Sequence, residues 1–176
     1  MRYRRTTVPG GTYFFTVNLA SRASDLLVKR IDVLREAVKT VKQRYPFRIL
    51  AWVVLPEHMH AIWEMPTDDA DYSKRWMLIK QRFSWAIERY EAIGASRRSK
   101  GERGIWQRRF WEHCIKGEQD LARHVDYVHV NPVKHGYVER ASDWPYSSIH
   151  RYIRQGMLTP DWACEPDATI QDGERS

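Results

Sequence analysis

The sequence predicts an α+β domain with a four-stranded antiparallel sheet in the order β-α-β-β-α-β, ferredoxin-like or RRM-like, with helices on one face and an additional C-terminal helix. Three observations support this prediction. Short runs of β-branched and aromatic residues alternate with longer segments whose apolar residues recur at helical spacing. Two strand-like runs are separated only by Pro56-Glu57, as in a hairpin. The 176 residues, 43% of them hydrophobic, suit one globular domain.

The first half of the chain predicts three strands and one helix. Residues 12–19 (TYFFTVNL) favour a strand by composition, and residues 32–44 carry apolar residues at helical spacing, with Asp32 as a possible N-cap. The nearly continuous apolar run at 47–55 is typical of a central strand that is buried on both faces. Residues 58–65 (HMHAIWEM) then predict the antiparallel return strand.

The second half predicts a long amphipathic helix at 73–93, a basic loop, and an aromatic fourth strand at 105–115. A short helix at 120–130 is predicted to end at Asn131-Pro132, because proline disfavours helix in the residue before it. Residues 1–155 would form the single domain. The acidic segment at 156–176 is predicted to be a poorly ordered tail.

The charge balance favours a polyanionic partner. The chain has 29 Lys and Arg against 22 Asp and Glu, a net charge of +7, and such an excess points first to nucleic acid, although a merely basic soluble protein remains an alternative. Two cysteines and an N-terminus with no apolar core of a signal peptide predict a reducing, cytoplasmic location. No run of about 18 apolar residues is available to span a membrane.

The triplet His58-Met59-His60 is the first candidate for chemistry. Residues i and i+2 of a strand share a face, so the two imidazoles project together from backbone positions about 6.6 Å apart, at a rise of about 3.3 Å per residue. Met59 would point into the core. Two convergent neutral imidazoles can hold a metal ion, although two structural or exposed histidines remain the alternative.

Tyr127 is the candidate nucleophile. On the helix at 120–130 it shares a polar side with Asn131, one turn away, whose carbonyl oxygen could supply a third metal ligand. The alternatives are a tyrosine packed at the helix edge and Asn131 as a helix C-cap. A neutral phenol is a poor nucleophile, so it would need a divalent cation that withdraws charge from a phosphate and orients the attack. Mixed nitrogen and oxygen ligation suits Mg²⁺ or Mn²⁺.

Together these motifs resemble the HUH transposases of the IS200-like kind, and most closely the REP-associated tyrosine transposases. The resemblance rests on LPEHMHAIW, WQRRFWEH and DYVHVNPVKHGYV followed by WPYSS, and it covers roughly residues 3–152. The family's His-x-His strand falls on His58 and His60, its catalytic tyrosine on Tyr127, and its third polar metal partner on Asn131. Glu57 stands where an asparagine is common in the pattern.

The resemblance implies metal-dependent cleavage of single-stranded DNA near a hairpin of the REP kind, through a 5′-phosphotyrosine and a free 3′-hydroxyl, followed by rejoining. It implies a cytoplasmic, nucleoid-associated bacterial protein. The REP-associated group suggests a monomer, whereas the mobile relatives suggest a dimer with shared sites.

Basic residues near aromatic ones are candidates for DNA contact, because single strands bind in basic grooves where bases stack on aromatic rings. The candidates are Arg2, Arg4, Arg5, Arg97, Arg98, Lys100, Arg103, Arg108, Arg109 and Lys134. Trp106, Phe110 and Trp111 lie among them, and packing in the core is the alternative for these rings.

The sequence also bears on two other functional classes. A two-histidine RNA phosphoesterase would need two His-x-Thr/Ser signatures, and the sequence has one His-x-His with no partner motif. A non-catalytic RRM-like binder of single strands shares the predicted element order and remains the alternative function.

Overall fold

The fold comes from a computed structural model, which describes residues 7–89 and 93–174 of the chain. Among these residues the strands are β1 (Thr12–Asn18), β2 (Arg48–Val54), β3 (His58–Glu64) and β4 (Trp111–Cys114). The helices are α1 (Leu26–Lys29), α2 (Ile31–Arg44), α3 (Tyr72–Ala86), α4 (Ala95–Arg98), α5 (Gly117–Lys134) and α6 (Ile149–Arg154), with a 3₁₀ turn at Ala141–Asp143.

The four strands form one sheet in the order β2-β3-β1-β4, and every neighbouring pair is antiparallel. This is the predicted split β-α-β arrangement. β3 lies in the middle of the sheet beside β1, with Thr16 opposite His60 and Asn18 opposite His58. The histidine pair is therefore held by a strand that has hydrogen-bonded neighbours on both sides.

The strand pleat divides β1 between two layers. Tyr13, Phe15 and Val17 pack into a core with α2 and α3, whereas Phe14 belongs to a second cluster on the opposite face with Tyr127. The predicted helices thus cover one face, and α5, the additional helix, covers the other. The chemistry predicted from the sequence falls between the sheet and α5.

The C-terminal end predicted for the helix at 120–130, which is α5 in the structure, was wrong. Helix α5 runs through Pro132 to Lys134 instead of ending at Asn131, and His135 N continues the helical pattern by donating to Asn131 O at 3.0 Å. A proline removes one intrahelical donor and biases the preceding residue against helix, but a helix can still continue through it. The extra turn matters because it brings Lys134 towards Tyr127.

Three other predicted boundaries differ. Helix α3 ends at Ala86, with Ile87 extended, and does not reach residue 93. The fourth strand is confined to Trp111–Cys114, and Trp106 makes only an isolated bridge to Leu19. Asp32 lies within the first turn of α2, whose N-cap is Arg30. In each case apolar periodicity located the element and did not fix its ends.

The structure describes the acidic tail as far as residue 174. Ile170 packs into the cluster beneath α5, and Asp167 accepts from the Arg123 guanidinium at 2.8 Å. The tail therefore lies across the same face of the sheet as α5. Among the described residues, no helix is both long enough and apolar enough to cross a membrane.

Candidate active site

His58 and His60 project together from β3, as the strand periodicity predicted. Both are fully buried, and their ring centroids lie 5.0 Å apart. Met59 points the other way, into the core under α2 and α3. The pair therefore lies on the sheet face that α5 covers.

Helix α5 brings Tyr127 and Asn131 to the same place. Both side chains are buried, at 2% and 0% exposure. The Tyr127 ring meets that of His60 edge-on with centroids 5.5 Å apart, and Phe14 packs below it at 5.9 Å. All four residues selected from the sequence as nucleophile and metal ligands thus converge on one point.

The tail carboxylate of Glu174 marks that point. Its Oε1 lies 2.7 Å from His60 Nε2, 2.9 Å from the Tyr127 hydroxyl and 3.1 Å from Asn131 Nδ2. His58 Nε2 is 3.6 Å away, longer than a hydrogen bond. A single anionic oxygen can therefore stand beside all four groups. Another anionic oxygen, such as that of a phosphate, could make the same contacts.

Two side chains orient the imidazoles. Glu57 Oε1 lies 2.8 Å from His58 Nδ1, so the residue that departs from the sequence pattern holds a candidate ligand in place. Thr16 Oγ1 lies 2.8 Å from His60 Nδ1. A hydroxyl can donate or accept, so His60 can turn a protonated Nε2 towards Glu174 or an unprotonated one towards a cation.

The donor set fits a divalent cation. His58 Nε2 and the Asn131 Oδ1 are buried and have no hydrogen-bond partner among the described residues, although polar atoms in such places are usually satisfied. Burial lowers the pKa of His60 to about 4, so its imidazole is neutral at pH 7, as a metal ligand must be. Two imidazole nitrogens and an amide oxygen can therefore serve as ligands here.

Tyr127 is held as a neutral phenol while the tail is docked. Its burial and the carboxylates of Asp172 and Glu174 raise its pKa well above the ordinary value. The hydroxyl donates a close hydrogen bond to Asp172, and Glu174 Oε1 lies 2.9 Å from the same oxygen. An anion beside the phenol opposes the charge that a nucleophilic phenolate needs.

Lys134 and His135 complete the cluster. Lys134 Nζ lies 2.5 Å from the Tyr127 oxygen and 2.9 Å from Glu174 Oε2, and His135 Nε2 lies 3.0 Å from the same carboxylate oxygen. The sequence placed Lys134 among the DNA contacts, and the structure places its Nζ beside the Tyr127 oxygen. His135, Thr16 and the two tail carboxylates were missed.

The hydrogen bonds of Glu174 explain its ionisation. Burial opposes the charge, but contacts with His135, His58 and His60 outweigh it and hold the pKa of this carboxyl far below its usual range. The carboxylate is thus charged throughout the physiological range. Protonation of Glu174 therefore cannot release the tail near neutral pH.

The predicted DNA-contact residues on the basic loop lie elsewhere, on the segment after α3. Arg97 donates to Trp106 O at 3.1 Å and Arg98 to Ile93 O at 3.2 Å, while Arg103 donates to Ile87 O at 2.8 Å. Arg108 pairs with Glu102 at 2.9 Å, and Lys100 and Arg109 are exposed. Arg2, Arg4 and Arg5 lie outside the described residues. Trp106 is buried in the core and Phe110 packs against it, as the alternative for these rings proposed.

A second group, His113, Asp120 and His124, ties β4 to α5. His113 Nε2 lies 2.9 Å and His124 Nδ1 lies 3.0 Å from the Asp120 carboxylate. The two rings are stacked with an angle of 14° between their planes. An ion must lie near the plane of each imidazole that binds it, so nearly parallel rings are poorly placed to share one. This group is a structural link.

Comparison with known proteins places the chain among close relatives. It is 49% identical over 161 residues to a REP-associated tyrosine transposase of Escherichia coli (strain K12), covering 92% of this chain and 90% of that protein. It is 42% identical over 170 residues to a putative REP-associated tyrosine transposase of Haemophilus influenzae, covering 96% and 97%. No family model matches the sequence.

The fold of the chain also matches a solved structure. That structure is of a REP-associated tyrosine transposase bound to a REP hairpin. The two agree with a TM-score of 0.87 at 46% identity, over 100% of this chain and 98% of the other.

Proposed function

Because the chain belongs to the REP-associated tyrosine transposases, we propose that it cleaves single-stranded DNA beside a hairpin of the REP kind, with Tyr127 as nucleophile, and rejoins the strands. One observation carries the proposal: Glu174 Oε1 contacts His60, Tyr127 and Asn131 at once and lies near His58. A scissile phosphate could make the same contacts. The hairpin found with the similar structure supports the choice of DNA.

The reaction is a transesterification at phosphorus. The Tyr127 oxygen bonds to phosphorus, the bond to the 3′ oxygen breaks, and that oxygen leaves with a proton as a 3′-hydroxyl. The 5′ side stays on the enzyme as a phosphotyrosine. Since the phosphodiester energy is kept, attack by a 3′-hydroxyl in the reverse sense rejoins DNA without a nucleotide cofactor.

The residues around Tyr127 prepare this attack. Lys134 Nζ, at 2.5 Å, stabilises negative charge on the phenolic oxygen as the proton leaves. Glu57 and Thr16 keep the two imidazoles aimed at the phosphate position. Burial beneath α5 excludes water, which favours DNA as the acceptor that later resolves the phosphotyrosine.

A divalent cation, Mg²⁺ or Mn²⁺, would be held by His58, His60 and Asn131. When bound, it supplies positive charge against the phosphate and helps to orient it. These ligand assignments follow from the unpartnered His58 Nε2 and Asn131 Oδ1 described above.

The discriminating experiment is formation of a covalent adduct. The protein is incubated with a hairpin oligonucleotide flanked by single strands, with Mg²⁺ or Mn²⁺, and run on a denaturing protein gel. A shifted band that disappears with EDTA supports the nicking enzyme. Hairpin binding with no adduct in either metal would favour the RRM-like binder without chemistry.

We expect His58→Ala and His60→Ala each to remove metal-dependent cleavage. One imidazole and one amide hold a divalent ion poorly, so the loss should exceed the roughly 10- to 100-fold that an outer-shell change costs. Asn131→Ala should reduce activity less. The measurements are adduct yield across a Mn²⁺ titration and Mn²⁺ affinity by calorimetry. Normal metal affinity in both histidine variants would contradict this ligand set.

Lys134→Ala should slow adduct formation roughly 100-fold, because removing one donor from a developing oxyanion typically costs that much. Lys134→Arg should recover part of the rate. Lys116→Ala, an exposed lysine just before α5, is the matched control and should cleave normally. If Lys134 only contacts DNA elsewhere, hairpin affinity will fall while the single-turnover rate at saturating DNA stays unchanged.

A further inference from the structure

A groove runs along the exposed side of α3, on the layer that faces away from Tyr127. Its far wall is formed by residues 94–108, which precede β4. Three adjoining cavities make it up, of about 350, 800 and 550 Å³. Arg108 lines all three, Lys80 lines two and Arg97 lines two, so the cavities share positively charged walls.

The groove combines this charge with an exposed aromatic ring. Trp85 on α3 lines the 350 Å³ cavity together with Arg97 and Arg108, and it is 72% exposed. Packing does not require a tryptophan at such a position, since the α3 residues in the core are others, such as Trp76 and Phe83. A large exposed ring beside cations is the arrangement on which nucleobases stack.

The acidic groups on the groove walls are few and engaged. Glu102 pairs with Arg108 at 2.9 Å, and Asp71 caps α3 by accepting from Lys74 N at 3.0 Å. The Arg108–Glu102 pair is solvent-exposed, so it is weak and can open for a phosphate.

The groove also connects with the catalytic end of the sheet. Gln107, a lining residue, donates from its backbone N–H to Asn18 O at 2.9 Å. Asn18 is the β1 residue paired with His58. A strand leaving the phosphate position at this end of the sheet can therefore pass over the end of β1 and enter the groove.

We propose that this groove binds the single-stranded DNA that flanks the cleavage position, with a base stacked on Trp85 and a phosphate beside Arg108. The proposal rests on the proposed function for its choice of DNA as ligand. It assigns the groove to the unpaired flank and not to the hairpin stem, because a stacked base must be unpaired to reach the ring. The distance from Lys74 to Trp85 along α3 is about 16 Å at 1.5 Å per residue, room for a short run of nucleotides.

The test compares two oligonucleotides by fluorescence anisotropy without metal: a hairpin alone, and the same hairpin with single-stranded flanks on both sides. Trp85→Ala should weaken binding of the flanked hairpin about tenfold, as expected for the loss of one stacked base, and leave the bare hairpin unchanged. Trp85→Tyr should restore most of the affinity. A hairpin whose flanks lack bases should bind the unsubstituted protein as weakly as the ordinary flanked hairpin binds Trp85→Ala.

Arg108→Gln supplies a second, electrostatic readout. For the flanked hairpin it should lower the slope of log affinity against log salt by about 0.7, the value for one phosphate contact on a single strand. Lys39→Gln, an exposed lysine on α2 outside the groove, is the control and should leave both affinity and slope unchanged. Trp85 and Arg108 are exposed, so neither variant should alter thermal unfolding appreciably.

Two results would overturn the groove assignment: normal affinity of Trp85→Ala for the flanked hairpin, or an equal loss for the bare hairpin, which would place the stem there. The proposed cleavage is judged separately by the adduct gel. If the protein forms no adduct but Trp85→Ala still weakens binding of the flanked hairpin alone, the groove assignment stands and the proposed cleavage is wrong. If the adduct forms but Trp85→Ala has no flank-specific effect, the proposed cleavage stands and the groove assignment is wrong.

Discussion

Tyr127→Phe should abolish the covalent adduct and leave hairpin binding intact. The substitution removes one oxygen from a buried ring and keeps its packing against Phe14 and His60, so the fold should survive. No other described side chain places a hydroxyl between the two imidazoles and Lys134. We expect adduct below detection on a denaturing gel, with a hairpin affinity within about twofold of normal by anisotropy.

Tyr137→Phe is the matched control, since Tyr137 is the second tyrosine in the motif that carries the resemblance. Its hydroxyl donates to Glu57 Oε2 at 3.3 Å, and its side chain is 42% exposed. Loss of this hydroxyl should leave most of the adduct. An adduct that persists in Tyr127→Phe and vanishes in Tyr137→Phe would identify Tyr137 as the nucleophile instead.

Removal of residues 172–176 should raise the rate of adduct formation by at least about tenfold and lower the metal concentration required. The carboxylate of Glu174 holds the phosphate position, and its tether gives it a high effective concentration there. Two anions cannot share this position, so the tail must leave before DNA enters. Tail removal also frees Tyr127 from the carboxylate of Asp172, which opposes its ionisation.

Gly173→Ala tests the same displacement with both carboxylates retained. Gly173 has a φ of +67°, and a Cβ there would overlap the side chain of Trp111, so the tail should no longer seat. Gly156→Ala is the control, because Gly156 also has a positive φ, of +70°, but a Cβ at that position meets nothing within 4 Å. If Glu174 were instead a required ligand of the cation, beside His58 and His135, both tail variants would lose activity.

The grouping of the candidate site residues was predictable because it depends on local periodicity. A spacing of two on a strand places His58 and His60 on one face, and a spacing of four on a helix places Tyr127 beside Asn131. Which helix faces which strand is a tertiary fact. The family resemblance supplied it, and the register of β1 with β3 then accounts for Thr16 at His60.

The tail contacts could not have been read from the sequence. Glu174 is separated from His60 by 114 residues, and its surroundings resemble any acidic terminus. Composition alone predicted a poorly ordered segment. Contacts of this kind depend on one glycine that fits against Trp111 and on cations from α5, which no periodic pattern records.

The error at Pro132 had the largest effect on the site. A statistical bias against helix before proline ended α5 too early and left Lys134 outside the predicted helix. The helix tolerates the missing donor and continues one more turn. That turn places Lys134 Nζ 2.5 Å from the Tyr127 oxygen.

Because of the pleat of β1, the side chains that stabilise the fold and those that line the candidate site lie on opposite faces of the strand, so the two sets can be redesigned separately. Odd-numbered side chains from Tyr13 to Val17 supply the hydrophobic layer, and the even-numbered Phe14 and Thr16 contact Tyr127 and His60. Thermostability could therefore be improved by redesigning one side of the sheet while substrate choice is altered from the other. A directed-evolution library divided by residue parity would sample the two properties almost independently.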